Sequence, residues 1–245
     1  VSKSQFGTSL TNVTFDLRQG EILGIGGVAG NGQDELFAVL SGEQFSQHGS
    51  ISFNGINITK FNPNQRRKIG LLSAPEERLG HAAAPNMSLI ENTLITAENS
   101  QNLVSRGFID WKKSKAFAEK VIKKFDVRTP GSQNTAGSLS GGNLQKFVIG
   151  REILQNPSVF IVNQPTWGVD AAAASSIRQA LLTLSENGAA ILVISQDLDE
   201  LLEISDQFAA LNGGTLSKIE KTADLSMEQI GLMMGGAKDL EVRNV

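Results

Sequence analysis

The sequence predicts an α/β protein built around a mainly parallel core sheet, with an added antiparallel β-sheet and a helical subdomain. Short apolar segments alternate with amphipathic helical segments through most of the 245 residues. The strand predicted at residues 158–162 is continuously apolar from residue 159 onward, as expected for a parallel strand that is covered on both faces. Residues 21–27 form another apolar strand, which runs directly into a glycine-rich loop and a helix. This order of elements is typical of folds that bind anions at a helix start.

The remaining elements have recognisable starts and stops. Alternating apolar residues at 10–17 predict a half-buried strand, and Asn54-Gly55 predicts a hairpin turn after a strand at 49–54. Ser88 and Glu91 are spaced as a capping box at a helix start. Further helices are predicted at 33–41, 62–68, 110–125, 171–186 and 227–234, and further strands at 69–73, 189–194 and 208–211.

The stretch from about residue 80 to residue 139 is helical or loop-like and interrupts the series of strands. We expect it to form a helical subdomain inserted into the α/β core, within one domain that covers residues 1–245. The chain begins with Val1 rather than Met, which suggests a piece of a longer protein.

Composition excludes several classes of protein. A net charge of −3 argues against a general nucleic-acid binder, and the absence of cysteine excludes disulfides and thiolate metal sites. The two histidines are far apart, so no metal site is predicted. The basic clusters at 66–68 and 112–113 are interpreted as solvated helix faces. No apolar run is long enough to span a bilayer, so a membrane role would go through a partner.

Residues 139–146, Leu-Ser-Gly-Gly-Asn-Leu-Gln-Lys, combine a turn with a helix start. Ser140 is a suitable N-cap, and Gly141 and Gly142 let backbone amides approach a ligand closely. Free N–H groups at a helix start favour anions, so a polyphosphate is a natural ligand. An ordinary turn before an amphipathic helix is the alternative.

Residues 27–34, Gly-Val-Ala-Gly-Asn-Gly-Gln-Asp, have the glycine spacing of a phosphate-binding P-loop. Gln33 and Asp34 stand where that loop needs a lysine and then a serine or threonine. A carboxylate about 5 Å from a phosphate charge costs roughly 3 kcal/mol at an effective dielectric constant of about 20. The pattern therefore predicts weak or absent nucleotide binding; a plain glycine turn with Asp34 as helix cap is the alternative. The predicted loop positions are Gly27, Gly30, Asn31, Gly32, Gln33 and Asp34.

The apolar strand at 158–162 ends in Asn163 and Gln164. A nucleotide hydrolase would carry an aspartate for Mg²⁺ and a glutamate that polarises water at these positions. Neither amide side chain can act as a general base.

The order of these motifs resembles an ATP-binding cassette (ABC) transporter domain over nearly the whole chain. The shared motifs are the degenerate P-loop and segments 139–143, 163–166, 168–170 and 194–201. Segments 74–80, 86–92, 125–130 and 163–170 are similar to the second cassette of fused importers for nucleosides and simple sugars, and favour the nucleoside branch.

The resemblance implies a role for several positions. Leu139, Ser140, Gly141, Gly142 and Asn143 match the signature loop, with Asn143 where most cassettes have glutamine. Glu76 takes the place of the Q-loop glutamine, Asp170 matches the D-loop aspartate, and Gln196 occupies the switch-histidine position without being able to replace it. Phe6 is the one candidate for adenine stacking, with a simple core residue as the alternative.

Cassettes of this family pair head to tail, so that each ATP lies between one P-loop and the partner's signature loop. The resemblance therefore implies ATP and Mg²⁺ mainly at a site shared with a companion cassette, expected in the N-terminal half of the same polypeptide. It further implies transmembrane permease subunits, an indirect substrate-binding protein, no nucleic acid, and a peripheral place at the cytoplasmic face of the membrane. The alternative is a regulatory or interaction module with little nucleotide binding.

Overall fold

The computed structural model describes residues 7–236, which form a central sheet flanked by helices. The strands are β1 (Ile22–Gly26), β2 (Ser52–Phe53), β3 (Ile56–Asn57), β4 (Leu71–Ala74), β5 (Val104–Ser105), β6 (Phe108–Ile109), β7 (Val159–Asn163), β8 (Ala190–Ser195), β9 (Gln207–Asn212), β10 (Thr215–Leu216) and β11 (Glu220–Lys221). The α-helices are α1 (Gln33–Ser41), α2 (Pro63–Lys68), α3 (Leu89–Ala97), α4 (Trp111–Lys124), α5 (Gly141–Ile153), α6 (Ala171–Glu186), α7 (Leu198–Ile204) and α8 (Met227–Met234).

The sheet confirms the predicted class. Its seven strands run in the order β10-β9-β1-β8-β7-β4, with β11 also paired to β9. All pairs from β9 to β4 are parallel, whereas β10 and β11 pair with β9 in antiparallel fashion. The carboxyl ends of β1, β8, β7 and β4 therefore meet at one edge, where ligands bind in open α/β sheets.

The hydrophobic core lies on both faces of the sheet. Successive residues of β8 belong to different buried clusters, because Ile191 faces one side and Leu192 the other. The larger cluster contains side chains of α3 to α8, and the smaller one contains α1. Coverage on both faces explains why β1, β7 and β8 read as continuous apolar runs.

The predicted start and turn signals act as expected. The Ser88 side chain accepts from the Glu91 N–H at 3.1 Å while the Glu91 carboxylate accepts from the Ser88 N–H at 2.7 Å, which completes the capping box. Asn54 and Gly55 have φ of 48° and 78°, as a tight hairpin turn between β2 and β3 requires.

The strand predicted at residues 10–17 is wrong, because no strand is formed there. The alternation still buries one side of the segment, since Leu10, Val13, Phe15 and Leu17 pack against the smaller core cluster. However, the backbone of this segment does not pair with a neighbouring strand of the described residues. The added antiparallel structure near this part of the chain is the short hairpin of β2 and β3.

The interpretation of residues 66–68 as a solvated face is wrong for its arginines. Arg66 is only 1% exposed and donates to the carbonyls of Phe61, Val39 and Ile58 at 2.9–3.3 Å. Arg67 forms an ion pair of 2.6 Å with Glu152, which is fully buried. Guanidinium groups can be buried in this way because each donor finds an oxygen.

Residues 80–139 contain α3, the hairpin of β5 and β6, and α4, and lie between β4 and α5. Their buried side chains, such as Phe117 and Val121, belong to the same cluster as residues of the central sheet. Their status as a subdomain of a single 1–245 domain stays a prediction. Between residues 7 and 236, no helix is both long and apolar enough to cross a bilayer.

Candidate phosphate-binding cleft

A cleft of about 1070 Å³ opens at the edge where the parallel strands end. Its walls come from the glycine loop after β1, the segment after β4, the start of α5 and the segment after β7. The predicted site residues among those that line it are Gly30, Asp34, Glu76, Leu139, Gly141 and Asn163. Four separate stretches of sequence thus converge as the motif spacing predicts.

The loop between β1 and α1 is filled by its own glutamine. The Gln33 side chain is 6% exposed, donates from Nε2 to the Val28 carbonyl at 2.9 Å and accepts the Asn31 N–H at Oε1, 3.1 Å away. A Cβ on Gly27 would lie 2.4 Å from Gln33 Nε2, so glycine is needed for this close approach. Gly32, with φ of 111°, lets the loop turn into the helix. The side-chain amide of Gln33, which could otherwise bind a phosphate, is therefore already hydrogen-bonded within the loop.

A pair of carboxylates lies beside this loop. Asp34 Oδ1 accepts from Asn163 Nδ2 at 3.1 Å, across the gap between α1 and the end of β7. Burial, together with the nearby Asp34 carboxylate, raises the pKa of Glu76, and Arg78 opposes this more weakly. The alternative that Asp34 caps α1 is wrong, because the cap position is Gly32 and no side chain among residues 7–236 caps this helix. The corner is thus acidic where a nucleotide would bring its phosphates.

Gln164 and Gln196 lie at the ends of β7 and β8. Gln164 is 3% exposed with φ of 51°, and its Oε1 accepts the Gln196 N–H at 3.3 Å. The Ser195 hydroxyl lies 3.4 Å from the same oxygen. The Gln164 side chain is therefore held inside the protein and lines no part of the cleft.

The signature loop presents its backbone outward. Ser140 occupies the N-cap position of α5, but the prediction that its side chain caps the helix is wrong. Its hydroxyl instead accepts from Asn143 Nδ2 at 2.8 Å, and Asn143 Oδ1 accepts from the Arg128 N–H at 2.8 Å. Within the described part of the chain, no side chain caps the first amides of α5, while Ser140 and Gly141 are exposed. A helix start in this state attracts an anion.

Arg78 also lines the cleft, and the resemblance of segment 74–80 assigns it no role. A Cβ on Gly141 would lie 2.8 Å from Arg78 Nη1, and one on Gly168 would lie 3.4 Å from Nη2. Among residues 7–236, no hydrogen bond or ion pair satisfies this half-buried guanidinium. Burial lowers the pKa of Arg78, and the Glu76 carboxylate opposes that effect. The unpaired position of Arg78 could be found only from the fold.

Asp170, the predicted D-loop aspartate, has a structural role at the start of α6. Its Oδ1 accepts the Ala173 N–H at 2.9 Å and so caps α6. That hydrogen bond is the main reason why the pKa of Asp170 is lowered. A Cβ built on Gly142 would lie 3.7 Å from Asp170 Oδ2, so the D-loop aspartate lies beside the signature loop. Phe6 lies outside the described residues.

The residues of this P-loop do not fit a Mg²⁺–nucleotide complex. Gln33 fills the loop, no lysine balances the phosphate charge, and Asp34 and Glu76 add negative charge. The start of α5 has the opposite character, because its amides, Gly141 and the Arg78 guanidinium all face the cleft. The P-loop is therefore filled by its own side chain, whereas the start of α5 is open to the cleft.

We expect the double substitution Gln33→Lys/Asp34→Ser to create nucleotide binding in this loop. It removes the internal amide, supplies an ammonium group and removes one carboxylate, so MgATP should bind at least about 100-fold more tightly than to the wild type. Titration with a fluorescent ATP analogue measures the change. Asp224→Ser removes an exposed carboxylate elsewhere and should change nothing. Tight Mg²⁺-dependent binding by the wild-type chain would contradict the closed-loop interpretation.

Sequence comparisons with known proteins all point to the same family. The family model described as ABC transporter matches residues 10–167. A glucose import ATP-binding protein of Haloferax volcanii is 36% identical over 233 residues, which cover 94% of this chain and 42% of the relative. A nucleoside import ATP-binding protein of Lactococcus lactis is 34% identical over 236 residues, with coverage of 96% and 47%. The chain thus spans less than half the length of these curated relatives.

Solved structures agree on the fold. A dimeric ATP-binding cassette in a post-hydrolysis state superimposes with a TM-score of 0.74 at 20% identity, covering 91% of this chain and 94% of that one. A nucleotide-free cassette gives a TM-score of 0.73 at 22% identity, with coverage of 98% and 94%. Since the family model spans more than half of the sequence and the architecture is that of a cassette, the chain belongs to the ABC transporter family.

Proposed function

We propose that this chain is the second, hydrolysis-deficient cassette of a fused ABC importer for nucleosides or simple sugars. It supplies its signature loop to an ATP held by a partner cassette and does not hydrolyse ATP at its own P-loop. The contrast between the Gln33-filled loop and the open start of α5 is the observation that carries this proposal.

The chemistry follows from the charges that face the cleft. Amides at Gly141 and Gly142, together with the Ser140 hydroxyl, are aligned at the positive end of α5 and can stabilise charge on a γ-phosphate brought by another domain. Arg78 adds a guanidinium at the same place. Because Asn163 and Gln164 carry no ionisable group, the proton transfers of hydrolysis must use residues of the partner.

The names of the relatives support the class of solute. The two relatives above are named as glucose and nucleoside import proteins. Both are about twice as long as this chain. The proposed partners are therefore a companion cassette in the N-terminal half of the same polypeptide and transmembrane permease subunits, with a substrate-binding protein acting indirectly. In this assembly the chain lies at the cytoplasmic face of the membrane, with ATP and Mg²⁺ at the shared site.

The alternative is a regulatory or interaction module that binds little nucleotide and takes no part in transport. The closed P-loop alone is compatible with it. The unpaired Arg78 and the exposed Gly141 favour the shared ATP site, because an interaction module has no need for free anion-binding groups in a cleft.

ATP hydrolysis by the isolated chain and by the full-length gene product tests the proposal. We expect phosphate release at background level from the 245-residue chain and clear turnover from the full-length protein. Robust turnover by the isolated chain would refute the division of roles. If adding this chain to its companion cassette leaves the companion's turnover unchanged, the interaction-module alternative is favoured.

A further inference from the structure

The helical segment carries an exposed surface that the ATP site does not use. It consists of the hairpin of β5 and β6 and the solvent side of α4. Three large apolar side chains lie close together in sequence here: Phe108 is 79% exposed, Ile109 41% and Trp111 54%. None of them lines the cleft at the sheet edge.

The same surface is strongly basic. Helix α4 contains one glutamate, Glu119, whereas the chain as a whole has a net charge of −3. Its lysines are all exposed, and they are Lys112, Lys113, Lys115, Lys120, Lys123 and Lys124. Arg106 adds a further exposed cation at the tip of the hairpin.

The lysines are arranged around one stripe of the helix. Lys112, Lys120 and Lys123 share a face with Ala116 and with the single glutamate of the helix, Glu119, while the side with Phe117 and Val121 is buried. Within residues 7–236, none of these three lysines pairs with a carboxylate; the helix's ion pairs are Lys113 with Asp110 and Lys115 with Glu119, each at 3.7 Å. Uncompensated positive charge therefore faces outward along the helix.

From this arrangement we infer that the hairpin of β5 and β6 and the exposed face of α4 bind a membrane surface rich in anionic phospholipids. Lysine stems and heads suit a layer of negative headgroups, and the exposed Phe108 and Trp111, which precede these lysines in the chain, suit the boundary with the acyl chains. A protein partner is less well matched, because lysine is depleted in the cores of protein interfaces. This inference does not depend on the proposed role in ATP hydrolysis.

Vesicle binding by the 245-residue chain tests the inference. The sequence has two tryptophans, so Trp167→Phe leaves Trp111 as the fluorescent reporter. Vesicles of phosphatidylglycerol mixed with phosphatidylcholine should shift its emission to shorter wavelength and sediment with the protein, whereas vesicles of phosphatidylcholine alone should do neither. Added salt should weaken the binding.

Matched variants separate charge from folding. Lys112→Gln/Lys120→Gln/Lys123→Gln should weaken binding at least tenfold, since each lysine near an anionic surface contributes about fivefold. The corresponding triple arginine variant should keep it, and Lys68→Gln/Lys221→Gln, which removes exposed lysines elsewhere, should have no effect. Equal binding to both kinds of vesicle, no binding, or full binding by the glutamine variant would overturn the inference. The inference would also be overturned if an acidic protein shifted the Trp111 emission and anionic vesicles did not.

Discussion

An arginine in place of Ser140 is expected to lower ATP hydrolysis by the full-length protein at least about 100-fold. Ser140 and Gly141 are exposed at the start of α5, so the larger side chain would extend into the space that a γ-phosphate would occupy in the proposed shared site. Loss of a single preorganised donor to developing charge already costs about 100-fold to 1000-fold in rate. Phosphate release under saturating ATP measures the effect.

Ser175→Arg provides the matched control, because it introduces the same side chain at an exposed serine of α6. Its turnover should stay within about twofold of the wild type, in line with the small effects of surface substitutions. ATP binding to the partner's P-loop should persist in Ser140→Arg, since that loop is unchanged. Normal turnover by this variant would show that the signature loop of this chain contacts no hydrolysed nucleotide.

The second large effect is expected at Glu152, which is fully buried near the end of α5. Its carboxylate accepts from Arg67 at 2.6 Å and from Arg151 at 2.9 Å, and Arg151 also donates to the carbonyls of Asn92 and Ala82. Glu152→Gln leaves two guanidinium groups without a counter-charge. Breaking a buried pair in this way costs about 3–5 kcal/mol in free energy of unfolding, or a melting temperature lower by about 10 °C.

Glu119→Gln is the control for this variant, since it breaks an exposed pair with Lys115 and should cost less than about 0.5 kcal/mol. Circular dichroism melts and urea titrations of the 245-residue chain compare the two. A Glu152→Gln chain as stable as the wild type would show that the network contributes no net stability.

The contribution of Glu152 should also depend on pH. Burial acts to raise its pKa, but Arg67 and Arg151 outweigh burial and hold the pKa below the usual value. The stabilisation is therefore present above the pKa of an unfolded glutamate and is lost as the pH falls through the lower folded value. The difference in unfolding free energy between wild type and Glu152→Gln should shrink in acid. A constant difference across that range would contradict the assignment.

Much of the fold could be predicted because local signals and burial agree. The apolar runs of β1, β7 and β8 indicate strands covered on both faces, and the structure places them side by side. The cap residue Ser88 marks a helix start that the structure reproduces. A sequence pattern is less informative where an element also needs a partner from elsewhere in the chain. The alternation at residues 10–17 shows which side chains are buried but not whether a neighbouring strand is present.

The candidate site could be predicted in outline but not in its contacts. The substitutions at the P-loop indicate that a nucleotide is poorly held, yet only the folded loop shows Gln33 bonded to Val28 and Asn31. Arg78 and Gly141 are 63 positions apart in the sequence, so nothing local indicates that they meet. Likewise, the burial of Arg66 depends on carbonyl groups that the tertiary structure assembles around it.

Helix α5 joins two regions of different character. Its thirteen residues extend about 20 Å, from the exposed Gly141 to a buried end. At that end, Arg151 donates hydrogen bonds to the carbonyls of Asn92 and Ala82. Because α5 is buried in the core from Leu144 to Ile153, we expect it to move as one rigid body. A tilt of about 5° at the buried end would move Gly141 by nearly 2 Å, which is enough to make or break a hydrogen bond to a phosphate oxygen. A small displacement of the segment between β4 and α3 would therefore decide whether the signature loop can form a hydrogen bond to a phosphate oxygen.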